Sequence, residues 1–193
     1  MKRVAILGST GSIGQSALAV VDAHPDRLRV SALAAGDNAA LLAEQVARYC
    51  PDVVAMATDA GADRLKTCLG SHPVSIVSGA EGLVAVATHV PVDIVLCASS
   101  GTAGLEAVLG AIERGKTVAL ANKEVLVMAG ALVTAAAERH GVAILPVDSE
   151  HNAIHQCLHG RNRSEIKRLI LTASGGPFRE MSADALDRVD AAA

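Results

Sequence analysis

No tryptophan occurs in the 193 residues, and the chain has one tyrosine, Tyr49, and one phenylalanine, Phe178. Yet 51% of the residues are apolar, so the core must be built from Val, Ile, Leu and Ala. That palette fits a parallel sheet buried on both faces by helices. Basic tracts are missing too, and the net charge is −3, which argues against a nucleic-acid partner. The four cysteines, Cys50, Cys68, Cys97 and Cys157, form no CxxC pair. This argues against a zinc cluster and fits reduced thiols in a cytoplasm. Long apolar runs are absent as well. The start MKRVAILGSTGSIG imitates a signal peptide, but its apolar stretch covers only residues 4–7. That is too short for a secretory segment, and no later run reaches a membrane span, so a soluble protein with no membrane partner is expected.

What is present is alternation. Candidate strands lie at 3–8, 29–35, 53–57, 74–77, 93–98, 117–121 and 142–147. Between them, apolar residues at helical spacing mark 15–22, 39–49, 80–88, 103–114 and 123–140. Strands and helices alternating through short Gly-bearing joints predict an α/β fold, a Rossmann-type doubly wound parallel sheet. Beyond Val147 the rhythm changes to a short helical piece, a polar joint HGRNRSE, a candidate strand at 168–173 and the loop SGGP. A boundary is therefore placed at residue 147. Residues 1–147 are expected to form one domain, and 148–193 look like the beginning of a second domain that stops early.

The segment GSTGSIG, with Gly8, Gly11 and Gly14, follows the first strand directly and opens the first helix. There, backbone N–H groups and the helix dipole face a pyrophosphate, so nucleotide binding is preferred over a ligand-free tight turn. After the second strand, Asp37 stands where a Rossmann site chooses between NAD and NADP, and an acid there favours NAD. Asp37 or Asn38 capping the next helix is an equally good reading. The segment GAIERGKT satisfies the P-loop pattern through Gly110, Gly115, Lys116 and Thr117. A P-loop must run strand, loop, helix; here a helix ends and a strand begins, and Gly115 is a helix C-cap, so an ATPase is rejected. A short-chain dehydrogenase needs a Tyr with a Lys four residues on, and Tyr49 is followed at that spacing by Val53.

In ANKE, Asn122 can cap the following helix. Lys123 at a helix start is electrostatically unfavourable and suggests a ligand phosphate or carbonyl, with a solvated surface lysine as the alternative. In PVDSEHN, Asp148 and Glu150 bracket Ser149 at the end of the last strand. Two carboxylates and a hydroxyl suit Mg2+ or Mn2+, while N-capping explains the same letters. His151 and His155 are spaced like a zinc pair, but the Glu of H-E-x-x-H is absent, and they are read as helix residues.

With GSTGSIG, LANKE, LPVDSEHNAI and TASGGPF in this order, the chain resembles the 1-deoxy-D-xylulose 5-phosphate reductoisomerase family from the first strand to about Arg179. The resemblance implies an NADPH- and divalent-metal-dependent enzyme of non-mevalonate isoprenoid biosynthesis, with residues 1–147 as its dinucleotide-binding domain and 148–193 as the start of an α+β catalytic domain that binds metal and substrate. Its reaction joins a carbon–carbon bond migration, with the metal as Lewis acid, to reduction of the resulting aldehyde, giving 2-C-methyl-D-erythritol 4-phosphate. By the same resemblance, Thr10, Gly11, Ser12 and Ile13 hold the nucleotide phosphates, and Gly36, Asp37 and Asn38 the adenosine ribose. Asn122 and Glu124 line the cofactor site. Asp148 and Glu150 ligate Mg2+ or Mn2+, Ser149 meets substrate hydroxyls and Ser174 the substrate phosphate. Lys123 and Glu150 are the implied catalytic residues, both touching substrate. A homodimer is implied for the full-length family.

Two departures stand out. Family members often carry a basic residue where this chain has Asp37, and their chains are twice as long. The absent part carries a third metal-binding glutamate, further phosphate ligands, a lid and a helical domain. These residues alone are therefore expected to be inactive. The alternatives are a non-catalytic nucleotide-binding fragment, or an unrelated Rossmann reductase.

Overall fold

The computed structural model describes residues 1–170, 176 and 178–190. They divide into two compact units, Met1–Asp148 and Ser149–Ala193. The first unit alternates strands and helices throughout: β1 (Lys2–Leu7), α1 (Ser12–Ala23), β2 (Leu28–Ala35), α2 (Ala39–Tyr49), β3 (Val53–Met56), α3 (Asp59–Leu69) and β4 (Ser75–Ser78). It continues with α4 (Gly79–Thr88), β5 (Ile94–Cys97), α5 (Gly104–Glu113), β6 (Thr117–Leu120), α6 (Glu124–His140) and β7 (Ile144–Pro146). The seven strands form one sheet in the order β4-β3-β2-β1-β5-β6-β7, every pair parallel. The chain starts at the centre, winds outward to β4, then returns across the sheet to place β5 on the other side of β1. This reversal opens a crevice beyond the carboxyl ends of β1 and β5.

The strand alternation sorts the core into two layers. Val4 and Ile6 of β1 face Leu18, Val21, Leu42, Val46 and Leu65 of α1–α3. Ala5 and Leu7 face the opposite side, where Val86, Val108, Ile112 and Val133 of α4–α6 pack. A register shift between Val4 and Ala5 leaves Ser31 of β2 unpaired. It lets Val30 and Leu33, three residues apart, share the α1–α3 face. The apolar, nearly aromatic-free composition thus becomes a sheet covered on both sides.

Helix α3 is not among the segments that periodicity marks. It buries only Gly61, Ala62 and Leu65, a stripe too small to stand out, although Thr58 caps it by accepting from the Gly61 N–H at 3.1 Å. Helix α6 is interrupted at Ala129 (φ −141°, ψ 30°). In the second unit the described elements are α7 (Ser149–Leu158), a 3-10 turn at Arg163–Glu165 and the short α8 (Ala183–Leu186). None of its described residues is buried. Of the strand expected at 168–173, residues 168–170 carry no regular structure and the rest lie outside the described residues.

Gly115 has φ +69° and ends α5, so the P-loop lookalike is a helix stop. Lys116, 5% exposed, donates to the carbonyls of His89 (2.8 Å), Val90 (3.3 Å) and Val92 (2.7 Å) beyond the end of α4. Burial lowers its pKa, with Arg114 adding to the effect and Asp93 opposing it. Lys116→Met should leave these carbonyls without their donor, at about 2 kcal/mol. Thermal unfolding should show a midpoint lower by about 4–8 °C. An unchanged midpoint would mean that water satisfies the carbonyls equally well.

Candidate functional site

Three glycines after β1 do three different things. Gly8 has φ +89°, and a Cβ there would lie 2.6 Å from the Ala98 carbonyl oxygen. At Gly14 a Cβ would lie 2.3 Å from the Gly8 oxygen, so α1 reaches the end of β1 only without a side chain. Gly11 has an ordinary φ of −76°, and a Cβ there would meet only the Gly8 oxygen, at 3.4 Å. The fold requires the first and third; the second has room for a methyl group. That is the expected distribution when the middle glycine serves a ligand's close approach.

The loop they form is locked by a pair that sequence inspection did not find. Ser9, fully buried, donates from Oγ to Gln45 Oε1 at 2.7 Å, while Gln45 Nε2 donates to the Ser9 carbonyl at 3.0 Å. A buried glutamine on the apolar face of α2 was the one available signal. Helix α1 then starts with no side-chain cap and no acidic residue in its first turn, leaving its N–H groups and positive dipole end open to an anion.

This helix start borders a cleft of about 490 Å³. Thr10, Gly11, Ser12, Ile13 and Gly36 line it, so these five site residues are brought together. Its opposite wall includes Met56, Ala57, Ala80 and Leu83, an apolar slot that the motifs did not reveal. Asp37 and Asn38 follow Gly36, and the two capping candidates separate here. Asn38 accepts from the Leu41 N–H at 3.1 Å and caps α2. Asp37, with its side chain 86% exposed, has the Arg64 guanidinium at 4.0 Å.

Asn122 does not cap α6. Its Nδ2 donates to the carbonyls of Ser99 (2.6 Å) and Gly101 (2.7 Å), tying down the loop after β5 that forms part of the cleft wall. Its Oδ1 is buried with no hydrogen-bond partner. Conformationally, Lys123 takes the cap position of α6; it and Glu124 are both exposed. Cys97, beneath this loop, has its thiol pKa raised by burial and is inert packing. All four cysteines are free.

Asp148 closes the first unit, while Ser149 and Glu150 open the second in the first turn of α7, with Ser149 Oγ 3.2 Å from Glu150 Oε2. His151 and His155 are helix residues there. Ser174 lies outside the described residues. Among the described residues no cluster of three or more His, Cys, Asp or Glu side chains is poised to hold a metal. No helix among them is long and apolar enough to cross a membrane.

Two family models match the chain: 1-deoxy-D-xylulose 5-phosphate reductoisomerase over residues 4–130, and the C-terminal domain of the same family over 144–193. The reductoisomerase of Anaeromyxobacter dehalogenans is 57% identical over 93% of this chain and 46% of its own length. A structure of the Zymomonas mobilis reductoisomerase in complex with NADPH superposes with a TM-score of 0.84 at 45% identity, covering 97% of this chain and 50% of its own. A reductoisomerase bound to NADPH, fosmidomycin and magnesium gives a TM-score of 0.79 at 42% identity, covering 83% of this chain and 40% of that one. The chain spans about half the length of the curated relatives it matches.

The glycine geometry predicts opposite outcomes for two alanine substitutions. Gly14→Ala should force α1 off β1 and cost about 1–3 kcal/mol in denaturant unfolding. Gly11→Ala should stay within about 0.5 kcal/mol of the unsubstituted protein. Equal effects would mean that the two glycines share one packing role.

Proposed function

Because the chain belongs to the 1-deoxy-D-xylulose 5-phosphate reductoisomerase family, we propose that its first unit is the NADPH-binding domain of such an enzyme. The second unit is then the beginning of the metal- and substrate-binding domain. The whole protein converts 1-deoxy-D-xylulose 5-phosphate to 2-C-methyl-D-erythritol 4-phosphate. The observation that carries this reading is the uncapped start of α1 at the cleft, beside a Gly11 that the fold itself does not need.

Each residue has a task in this scheme. Residues 10–13 hold the pyrophosphate through the N–H groups of Thr10, Ser12 and Ile13, where the helix dipole favours negative charge. Gly11, whose own N–H donates to the Gly8 carbonyl, permits the close approach. Gly36 lets the backbone pass close to the adenosine ribose, with Asp37 and Asn38 beside it. Asn122 lines the cofactor site by fixing the loop after β5, which forms part of the cleft wall, and Glu124 lines the site beside it. Lys123, set against the α6 dipole, is the cation that contacts substrate. Asp148 and Glu150 are carboxylate ligands for Mg2+ or Mn2+, hard donors suited to either ion, while Ser149 orients substrate hydroxyls and Ser174 its phosphate. When bound, NADPH supplies hydride and the divalent ion supplies Lewis-acid polarisation. Two carboxylates make a partial shell, which fits half of such a site. The four unpaired thiols support a cytoplasmic location. Exposed Val127, Met128 and Leu132 on α6 support a further covered surface, in keeping with a homodimer of the full-length protein.

Two measurements test the scheme. Gly11→Val places a branched side chain where the pyrophosphate must approach. Calorimetry should show NADPH affinity falling by about tenfold or more with the fold intact. Unchanged affinity would move the nucleotide elsewhere. The second measurement is NADPH oxidation with 1-deoxy-D-xylulose 5-phosphate and Mn2+, using the 193 residues alone. Loss of an outer-shell partner alone typically costs a metal site about 10–100-fold, and a missing direct ligand costs more. Turnover at an ordinary enzyme rate from a preparation verified to end at Ala193 would sink the half-site assignment.

A further inference from the structure

Asp37 is the residue at odds with an NADPH site. It stands at the carboxyl end of β2, directly after the cleft-lining Gly36, where the ribose 2′ substituent is expected. A lone carboxylate there accepts from a 2′-hydroxyl and repels a 2′-phosphate. The tertiary structure supplies what position 37 lacks. Arg64, on α3, brings its guanidinium to 4.0 Å from Asp37 Oδ1. Both side chains are largely exposed, 86% for Asp37 and 56% for Arg64, so the pair is solvated and accessible to a ligand.

Three features give the pair a fixed place and leave it free to act. Asn38 caps α2, which releases Asp37 from the capping duty that would otherwise explain it. Gly61 lets α3 sit directly on Met56, where a Cβ would already be 3.2 Å from the Met56 side chain, and Met56 and Ala57 line the same cleft. Ala62 and Leu65 are buried, so the intervening Arg64 is carried outward on a helix anchored to the cleft wall. A solvated ion pair of this kind is weak, and its arginine exchanges one anion for another at little cost. The planar fork of a guanidinium matches a phosphate in two hydrogen bonds, a stronger partnership than the loose one with Asp37.

We propose that Arg64 is the ligand of the cofactor's 2′-phosphate, with Asp37 as its counter-ion when the site is empty. The inference rests on the cleft being a dinucleotide site. NADPH draws Arg64 away from Asp37 onto its phosphate. NADH leaves the pair together, with Asp37 free to accept from the 2′-hydroxyl. Selectivity for NADPH is then a property of α3, reduced but not abolished by the acid at position 37.

Calorimetric titration of the 193-residue chain with NADPH and NADH decides the matter, supported by adenosine 2′,5′-bisphosphate against AMP, which differ only in the 2′-phosphate. Arg64→Ala should weaken NADPH and the bisphosphate by about tenfold, the loss of one charge-assisted contact, while NADH and AMP stay within about twofold. Arg64→Lys should recover part of the loss. Asp37→Asn should tighten NADPH only while Arg64 is present. Lys66→Ala, which removes a cation of the same helix held by Asp63 at 2.9 Å, should change neither ratio. If Arg64→Ala lowers both cofactors equally, or neither, the assignment is overturned while the nucleotide site stands. If the unsubstituted chain binds none of the four probes, the nucleotide site and this inference fall together.

Discussion

The first unit depends on a backbone contact in which no side chain takes part. Helix α1 begins so close to the end of β1 that a Cβ at Gly14 would overlap the Gly8 carbonyl oxygen, at 2.3 Å. Everything at the cleft follows from that approach. It turns the chain through residues 8–11, where the Gly8 and Ser9 N–H groups donate to the Ala34 carbonyl and that of Gly11 to Gly8, and it brings the uncapped start of α1 to the cleft that Ala98 and Ser99 also line. The Ser9–Gln45 pair then ties the same turn to α2, so the loop is held from two directions. A loop that must present N–H groups to an anion cannot satisfy them itself, and rigid support is what keeps them aimed.

The two ends of the sheet divide the labour. At the carboxyl edge, glycines and short polar residues leave backbone exposed, and the only buried amide with a spare acceptor is that of Asn122 among the described residues. On the connection leading into β6, Lys116 spends a buried ammonium on carbonyls beyond α4, a structural use of a residue that the local letters assign to a phosphate. The same pair of letters, Gly-Lys, thus serves packing where it leaves a helix and would serve catalysis only where it enters one.

In the proposed scheme, cofactor selection is shared across elements. Asp37, in the loop after β2, carries an acid, and α3 places Arg64 beside it at 4.0 Å, so the charge at this position is set by both residues together. Among its described positions the second unit has no buried residue.

The sheet and its nucleotide turn were legible in the sequence, because hydrophobic periodicity and glycine spacing are local signals. All seven strands lie within two residues of their expected limits, and GSTGSIG was placed by the strand before it and the helix after it. Helix α3 escaped, since a stripe of Gly61, Ala62 and Leu65 carries little periodic signal. Asn122 and Asp37 were named as site residues, but their partners were not. Ser99, Gly101 and Arg64 lie more than twenty positions away in the chain, and only the winding of the sheet brings them near. The sequence by itself determined the alternation, the open helix start and the oxygen-rich motif after β7, because each depends on neighbours a few residues apart. The tertiary structure decided which of Asp37 and Asn38 caps a helix, what Asn122 clamps and which cation meets Asp37, because each depends on contacts between strands and helices that the crossovers set side by side.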